Sequence, residues 1–238
     1  MRVITTKEPK KEARHVLHEL FRKYASMPVL FLSSGGSALD LLGPELKHTD
    51  LSISVLDEHY VKDERERNFH KLSKLDFFTS AIQSGARSFD PYRGAVQDAG
   101  KAFNGFLQSW IRDNPSGKIL CTVGMGADGH TAGIVPFADE QAFQKLFCGE
   151  ALAVGYKTPA GDAFPERLTS TYALLRHCSD VILYAVGEKK APIVQKLMSE
   201  DASLHTFPAM FLKQLPQVTL FTDVSAPIPP FLKEVPNL

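Results

Sequence analysis

The segment Asp128-Gly129-His130 carries the clearest chemical signal in the sequence. Histidine titrates near neutral pH, so His130 can take a proton from water under physiological conditions. The carboxylate of Asp128, two positions earlier, is placed to orient the imidazole. The ordinary alternative is a solvated loop histidine, but the surrounding glycines favour a functional loop. We therefore interpret His130 as a general base and Asp128 as its partner.

The same loop, residues 124–129, also matches the GxGxxG pattern of dinucleotide-binding proteins. That fingerprint needs a second strand that ends in an acidic residue about 20 residues further on. The next predicted strand, over 151–156, ends without one. We therefore expect a catalytic loop and no dinucleotide cofactor.

A second motif, Ser34-Gly35-Gly36-Ser37, lies between a predicted strand and a predicted helix. Glycines let the backbone approach an anion, and a helix start offers free N–H groups and the positive end of the helix dipole. The hydroxyl of Ser37 can donate a further hydrogen bond. The alternative is a serine that caps the helix after a tight turn. The motif predicts a phosphate site that includes Gly35, Gly36 and Ser37.

Four further side chains at predicted strand ends and helix starts suit a polar ligand: Asp57, His59, Arg167 and Lys190. Arginine can hold a phosphate or carboxylate through two parallel hydrogen bonds. Lys190 opens a predicted helix, where a cation is unfavourable unless it points at an anion. Each of them can also be explained as a solvated or ion-paired surface residue.

Composition narrows the class of protein that carries these motifs. The 238 residues include 27 Lys and Arg against 27 Asp and Glu, which argues against nucleic-acid and anionic-membrane partners. Three cysteines without a CxxC pair predict neither a disulfide framework nor a metal site, and they suggest a reducing, cytoplasmic compartment. No apolar run approaches the roughly 18 residues of a membrane span, so we expect no membrane association.

Short apolar runs alternate with helical periodicity along the chain. The pattern predicts strands over 29–32, 51–56, 118–123, 151–156, 181–186 and 218–221, and helices over 13–24, 38–46, 69–82, 102–111, 190–198 and 208–214. Such alternation indicates an α/β fold, with a mostly parallel sheet and helices on both faces. Ligands of such sheets bind beyond the carboxyl ends of the strands, where the candidate residues fall. No linker interrupts the chain, so we expect one domain over 1–238.

The ordered set of motifs resembles the 6-phosphogluconolactonase family, within the wider superfamily of glucosamine-6-phosphate deaminases and isomerases. Residues 34–37 are similar to the family's Ser-Gly-Gly-Ser phosphate loop, and residues 124–132 (GMGADGHTA) to its Gly-Met-Gly-Pro-Asp-Gly-His-Thr-Ala stretch. Residues 166–169 resemble Glu-Arg-Ile-Thr, and residues 187–191 resemble Gly-x-x-Lys-Ala. These matches follow in order along most of the chain.

The resemblance implies a Rossmann-like α/β fold and hydrolysis of 6-phosphogluconolactone in the pentose phosphate pathway, with no cofactor and no metal. His130 would activate water, with Asp128 beside it. The partner would be a small sugar phosphate, and the protein a monomer or weak homo-oligomer. The residues that would hold phosphate or substrate oxygens are Gly35, Gly36, Ser37, Asp57, His59, Arg167 and Lys190.

One departure concerns the family's Asp-Glu-Arg motif, which reads Asp57-Glu58-His59 here and is followed by Asn68. The family arginine is associated with binding of the substrate anion. A protonated His59 could partly replace it, and Arg65 or Arg67 could take over the vacant role.

Two alternative functions remain open. The deaminase branch carries a glutamate in an Asn-Glu-Pro stretch used for ring opening, whereas this chain has Ile134-Val135-Pro136 there. Lactone hydrolysis needs only one activated water and a stabilised oxyanion, so it fits the residues better than isomerisation does. The other alternative, a sugar-phosphate-binding protein with impaired catalysis, follows from the lost arginine.

Overall fold

The computed structural model describes residues 1–225. Within these residues the strands are β1 Arg2–Thr5, β2 Val29–Ser33, β3 Leu51–Val55, β4 Asp57–His59, β5 Arg87–Ser88, β6 Lys118–Val123, β7 Ala153–Lys157, β8 Glu166–Ser170, β9 Asp180–Tyr184 and β10 Val218–Thr222. The α-helices are α1 Pro9–Lys23, α2 Asn68–Ser73, α3 Asp76–Gln83, α4 Val96–Asp113, α5 Glu140–Phe147, α6 Tyr172–His177, α7 Ala191–Ser199 and α8 Met210–Lys213. Short 3-10 helices span Gly36–Leu41, Glu64–Glu66 and Glu188–Lys190.

Seven strands form the main sheet, in the order β1-β10-β9-β6-β2-β3-β5, and every neighbouring pair is parallel. From β2 the chain moves outward to β3 and β5. It then returns through β6 and moves outward in the other direction to β9 and β10. The strand order therefore reverses between β2 and β6, the position at which such sheets form a ligand crevice. The predicted mostly parallel α/β architecture is confirmed.

Both faces of this sheet are covered because its strands are apolar on both sides. In β2, Leu30 and Leu32 pack into the core beneath α4, while Val29 and Phe31 pack into the core beneath α1 and α3. All five residues of β2 are buried. Such a strand reads as a continuous apolar run, which explains why it was visible in the sequence.

A second sheet, which the sequence analysis did not predict, has the antiparallel order β4-β8-β7. The strand predicted over 151–156 exists as β7, but it lies in this sheet. In this sheet Asp57 of β4 pairs with Thr169 of β8, and His59 of β4 pairs with Arg167 of β8. On the other side of β8, Arg167 pairs with Tyr156 of β7. Because side chains alternate along a strand, these five residues share one face of the sheet.

Two predicted helices differ from the structure. The helix predicted over 38–46 is the 3-10 helix Gly36–Leu41, which ends shortly before Pro44, in agreement with the steric effect of proline on the residues that precede it. The helix predicted over 69–82 is divided into α2 and α3. On one continuous helix, Leu72 and Phe77 would point about 140° apart. The break lets both side chains enter the same core.

In the part of the chain that the structure describes, no helix is long and apolar enough to cross a membrane.

Candidate functional site

A cleft of about 610 Å³ opens at the carboxyl ends of β2 and β6, where the strand order reverses. The turn after β2, the loop after β6, one face of the second sheet and the helix start at Lys190 line it. All nine candidate residues from the sequence lie along this cleft: Gly35, Gly36, Ser37, Asp57, His59, Asp128, His130, Arg167 and Lys190.

The imidazole of His130 is oriented by Asp128. Its Nδ1 lies 2.7 Å from Oδ1 of Asp128, and this same oxygen accepts the backbone N–H of His130 at 3.1 Å. Partial burial alone would raise the pKa of Asp128, but the hydrogen bonds and the positive charge of a protonated His130 outweigh it and lower this pKa to about 2. An ionised carboxylate only accepts hydrogen bonds, so the neutral imidazole carries its proton on Nδ1. The lone pair of Nε2 is then available as a base.

Glycines allow the loop after β6 to fold around this pair. A Cβ atom on Gly126 would lie 2.1 Å from Nδ1 of His130, and one on Gly129 would lie 2.3 Å from the ring of Phe207. Gly129 also has a φ of 87°, which favours glycine. The N–H of Gly126 donates to the carbonyl of His130 at 2.8 Å. Of the glycines that resembled a dinucleotide fingerprint, Gly126 therefore leaves room for the histidine, and Gly129 leaves room for Phe207.

The turn after β2 presents backbone donors to the cleft. The 3-10 helix begins at Gly36, so the amides of Gly36 and Ser37 precede its first internal hydrogen bond. Gly36 has a φ of 64°. A Cβ atom on Gly35 would lie 2.0 Å from Oδ1 of Asn68, so only glycine leaves room for that side chain. The arrangement can hold an anion such as phosphate.

The carboxylate of Asp57 is fixed inside the cleft. Its Oδ1 accepts the hydroxyl of Ser34 at 2.9 Å, and its Oδ2 accepts the side-chain amide of Asn68 at 3.2 Å. Next to it, the fully buried Glu58 points to the other side of β4 and accepts the backbone N–H groups of Asn68 and Phe69. Burial raises the pKa of Glu58 to about 8, although these two hydrogen bonds oppose the shift.

Arg167 is the most deeply buried cation of the cleft, with 5 % of its surface exposed. Its Nη2 donates to Oδ1 of Asp162 at 3.0 Å, and its guanidinium lies 5.3 Å from the ring centre of Phe164. Among the described residues, its buried Nε has no hydrogen-bond partner. A donor left unsatisfied beside a cleft can bind a ligand oxygen.

His59 lines the cleft, but other groups of the protein surround its ring. Its ring stacks on Phe164 at 3.7 Å between centroids, and Nδ1 lies 3.0 Å from the carbonyl oxygen of Glu66. Burial lowers the pKa of His59, and the positive charge of Arg167 lowers it further, while Asp57 acts in the opposite direction. The uncharged ring is therefore favoured at neutral pH.

Neither arginine that could have replaced the family arginine lines the cleft. The side chain of Arg65 is paired with Asp63 at 2.7 Å and is largely exposed. Arg67 donates to the carbonyls of Val61 and Lys62 at 2.8 Å and stacks on the ring of Tyr92. The structure therefore gives neither of them the vacant role.

Lys190 reaches the loop after β6 from the helix start after β9. Its ammonium donates to the carbonyl of Met125. Burial lowers the pKa of Lys190, whereas the charge of Asp128 opposes that shift. The lysine thus contacts the loop and also lines the cleft.

Sequence reasoning did not identify the loop between β7 and β8, which adds Gly161, Asp162, Ala163 and Phe164 to the cleft. Its composition indicates only a turn. The position of this loop follows from the antiparallel pairing of β7 with β8, which the sequence does not signal. Ser34 and Asn68, which appeared only as members of motifs, turn out to hold Asp57.

No group of three or more His, Cys, Asp or Glu side chains within residues 1–225 could hold a metal ion. The chemistry available in the cleft is that of an oriented imidazole base, backbone and arginine donors for an anion, and fixed carboxylates.

Comparison with protein families gives one match over most of the chain. The family described as "Glucosamine-6-phosphate isomerases/6-phosphogluconolactonase" matches residues 11–220.

Individual relatives are distant but extend over nearly whole chains. A glucosamine-6-phosphate deaminase of Rhodopirellula baltica is 26% identical over 229 residues, which cover 90% of this chain and 88% of that protein. A 6-phosphogluconolactonase of Aggregatibacter actinomycetemcomitans is 27% identical over 214 residues, which cover 83% of this chain and 87% of that protein. The solved structure of a 6-phosphogluconolactonase from Plasmodium vivax superimposes with a TM-score of 0.73 at 17% identity, covering 97% of this chain and 92% of that one. This last similarity is one of fold.

Proposed function

The chain belongs to the family of glucosamine-6-phosphate isomerases and 6-phosphogluconolactonases, and we propose that it hydrolyses 6-phosphogluconolactone to 6-phosphogluconate. The observation that carries the proposal is the 2.7 Å contact between His130 and Asp128, in the cleft that also contains the glycine turn after β2. Lactonases among the relatives support the same assignment.

In the proposed reaction, Nε2 of His130 takes a proton from water as the water oxygen attacks the lactone carbonyl carbon. The carbonyl electrons move to oxygen and form a tetrahedral intermediate. When the electron pair returns to re-form the carbonyl, the ring C–O bond breaks. The proton held by His130 then passes to the departing ring oxygen, which becomes a hydroxyl. Asp128 stabilises the imidazolium that exists between the two transfers.

The phosphate group is proposed to bind the amides of Gly35 and Gly36, the amide and hydroxyl of Ser37, and the cations of Arg167 and Lys190. Backbone N–H groups and a guanidinium are typical phosphate ligands. The unpartnered Nε of Arg167 supports this role. Asp57 and His59, on the same face of the second sheet as Arg167, would then contact sugar oxygens.

Deamination of glucosamine 6-phosphate is the second candidate, because Asp57 is a carboxylate in the cleft that lactone hydrolysis does not require. A deaminase relative matches this chain about as well as the lactonases do. Against it, Ile134 and Val135 stand where the deaminase branch has its glutamate, and both are buried in the apolar core. The cleft therefore favours the lactonase.

The pathway and location belong to the same proposal. The reaction would supply 6-phosphogluconate to the pentose phosphate pathway in the cytoplasm, from a monomer or weak homo-oligomer. Three free cysteines fit a reducing compartment.

The test is acid release from freshly prepared 6-phosphogluconolactone, corrected for spontaneous hydrolysis, beside ammonia release from glucosamine 6-phosphate. We expect acid release only. His130→Ala should lower the rate about 100-fold or more. The exposed His177 provides the matched control, and His177→Ala should keep the wild-type rate. Ammonia release, or a folded His130→Ala variant with normal lactone turnover, would contradict the proposal.

A further inference from the structure

Ala132 has an unusual backbone conformation for its position beside the candidate base. Its φ is 50°, and no other residue of 1–225 except glycines has a positive φ. The next residue, Gly133, has a φ of 74°. Together they form the two central positions of a tight hairpin, in which Thr131 and Ile134 exchange backbone hydrogen bonds of 3.2 and 2.8 Å. Strain of this kind persists only where the surroundings enforce it, and it concentrates at functional sites.

Two buried hydroxyls from the second sheet enforce this conformation. Thr169 donates to the carbonyl of Ala132, and Tyr156 donates to the carbonyl of Gly133 at 2.6 Å. Both hydroxyls come from the face of the sheet that also carries Arg167 and Asp57. Both carbonyls of the turn are therefore held toward the second sheet.

Fixing the carbonyl of Ala132 also fixes the N–H of Gly133, which belongs to the same peptide. Tyr156 holds the next peptide, whose N–H belongs to Ile134 and closes the hairpin. In a trans peptide the N–H points opposite to the C=O, so the N–H of Gly133 points away from Thr169. Ala132 and Gly133 both line the cleft. Over the described residues, neither N–H has a hydrogen-bond acceptor. The nearby carboxylate of Asp57 is already bound by Ser34 and Asn68.

We propose that the N–H groups of Ala132 and Gly133 form the oxyanion hole for the lactone carbonyl, and that two positioning residues support it: Thr169 aims the N–H of Gly133, and Tyr156 holds the hairpin that carries both donors. The inference deepens the proposed lactonase function and rests on it. When water attacks, the carbonyl electrons move to oxygen, and the two N–H groups stabilise the negative charge until the ring C–O bond breaks. Donors fixed in advance act in this way because they need no reorganisation during the reaction.

The loop that carries this hairpin also supplies the base, since His130 lies two residues before Ala132. Base and oxyanion donors would therefore be carried by one rigid segment, whereas the phosphate site is carried by the turn after β2. Variants of the positioning hydroxyls should affect kcat and leave substrate binding nearly unchanged.

The experiment compares kcat and KM for lactone hydrolysis in Thr169→Val, Thr169→Ser and Tyr156→Phe. We expect kcat to fall roughly tenfold or more in Thr169→Val and Tyr156→Phe, with KM within about twofold of wild type. Thr169→Ser keeps the donor and should retain most of the wild-type kcat. Tyr172→Phe is the matched control, because this buried hydroxyl donates to the carbonyl of Pro208 at 2.9 Å, away from the turn.

The outcomes separate the two proposals. Folded Thr169→Val and Tyr156→Phe variants with wild-type kcat would overturn the oxyanion hole while the lactonase assignment stands. An equal loss in Thr169→Ser or Tyr172→Phe would mean that the hydroxyls act only on the fold, which also overturns it. A wild-type protein that releases no acid from the lactone would overturn the proposed function and the oxyanion hole together.

Discussion

At the scale of single residues, His59 shows how the surroundings change the meaning of a substitution. The sequence suggested that a protonated imidazole could replace an arginine. In the structure the ring is stacked on Phe164, and burial lowers its pKa from the ordinary value of 6.5. A lowered pKa means that the ring is half protonated only at a pH below 6.5, so the uncharged imidazole predominates between about pH 7.5 and 6.5.

We therefore predict that His59 adds little pH dependence to ligand affinity in that range. The dissociation constant of 6-phosphogluconate, measured by calorimetry at both pH values, should change by the same factor in wild type and His59→Gln. Tighter binding at the lower pH in the wild type, without the same change in His59→Gln, would show that the imidazole is charged in the complex.

The site residues that the sequence revealed are those whose signal is local. Asp128 and His130 are two positions apart, and the turn at Gly35 and Gly36 follows directly on an apolar strand. Asp162 carried no such signal, because its contact with Arg167 depends on the hairpin between β7 and β8. Likewise, the stacking of His59 on Phe164 could not be predicted without the pairing of β4 with β8.

At the scale of elements, the loop after β6 depends on a glycine at position 126. A Cβ atom there would meet both Nδ1 of His130 at 2.1 Å and Oδ1 of Asp128 at 2.5 Å. Gly126→Ala should therefore displace the imidazole and lower kcat at least about tenfold, with little change in overall fold. Gly149→Ala is the control, since a Cβ atom at Gly149 has open space. The same kcat in Gly126→Ala and Gly149→Ala would contradict the close contact of Gly126 with His130 and Asp128.

Glu58 links strand β4 to helix α2, because its carboxyl group accepts the first amides of the helix. Burial raises its pKa from 4.5 to about 8, so between these values the folded protein holds a proton that the unfolded chain releases. Rising pH then favours the unfolded chain, and the stability contributed by the protonated group is lost through this range.

The prediction is that the free energy of unfolding in urea falls from pH 5 to pH 8 more steeply in wild type than in Glu58→Gln, by about 1 kcal/mol or more. Glu150→Gln, at an exposed position, should behave like wild type. A pH dependence that is identical in Glu58→Gln and wild type would mean that Glu58 ionises normally in the fold.

The elements also differ in how well the sequence revealed them. The main-sheet strands β2, β3, β6, β9 and β10 were predicted because burial on both faces makes them mostly apolar. Strand β4 escaped, since its three residues are Asp57, Glu58 and His59. Nothing in this composition signals a strand, and its tertiary pairing with β8 overrides local preference.

At the scale of the whole molecule, helix α4 joins the second sheet to the main one through glycine contacts. A Cβ atom on Gly155 in β7 would lie 1.8 Å from the carbonyl oxygen of Val96, and one on Gly100 would lie 2.1 Å from the amide nitrogen of Gly155. Backbone meets backbone at this crossing, so neither side can yield by a side-chain rotation.

Gly155→Ala is expected to lower the free energy of unfolding by about 2 kcal/mol or more. Gly105→Ala, in the same helix but with open space at the Cβ position, should stabilise the protein by about 0.5–1 kcal/mol. Urea unfolding measures both. A Gly155→Ala variant with the wild-type free energy of unfolding would show that α4 can move away from β7 without loss of stability.

The charges along the cleft have a consequence for the kinetics of substrate capture. The described residues that line it include three carboxylates, of Asp57, Asp128 and Asp162, against the two cations of Arg167 and Lys190. The whole chain is also electrically balanced. Such a cleft exerts little long-range attraction on a phosphorylated sugar, and its N–H donors act only at contact distance. The encounter should therefore proceed by unassisted diffusion, and kcat/KM should vary little with ionic strength.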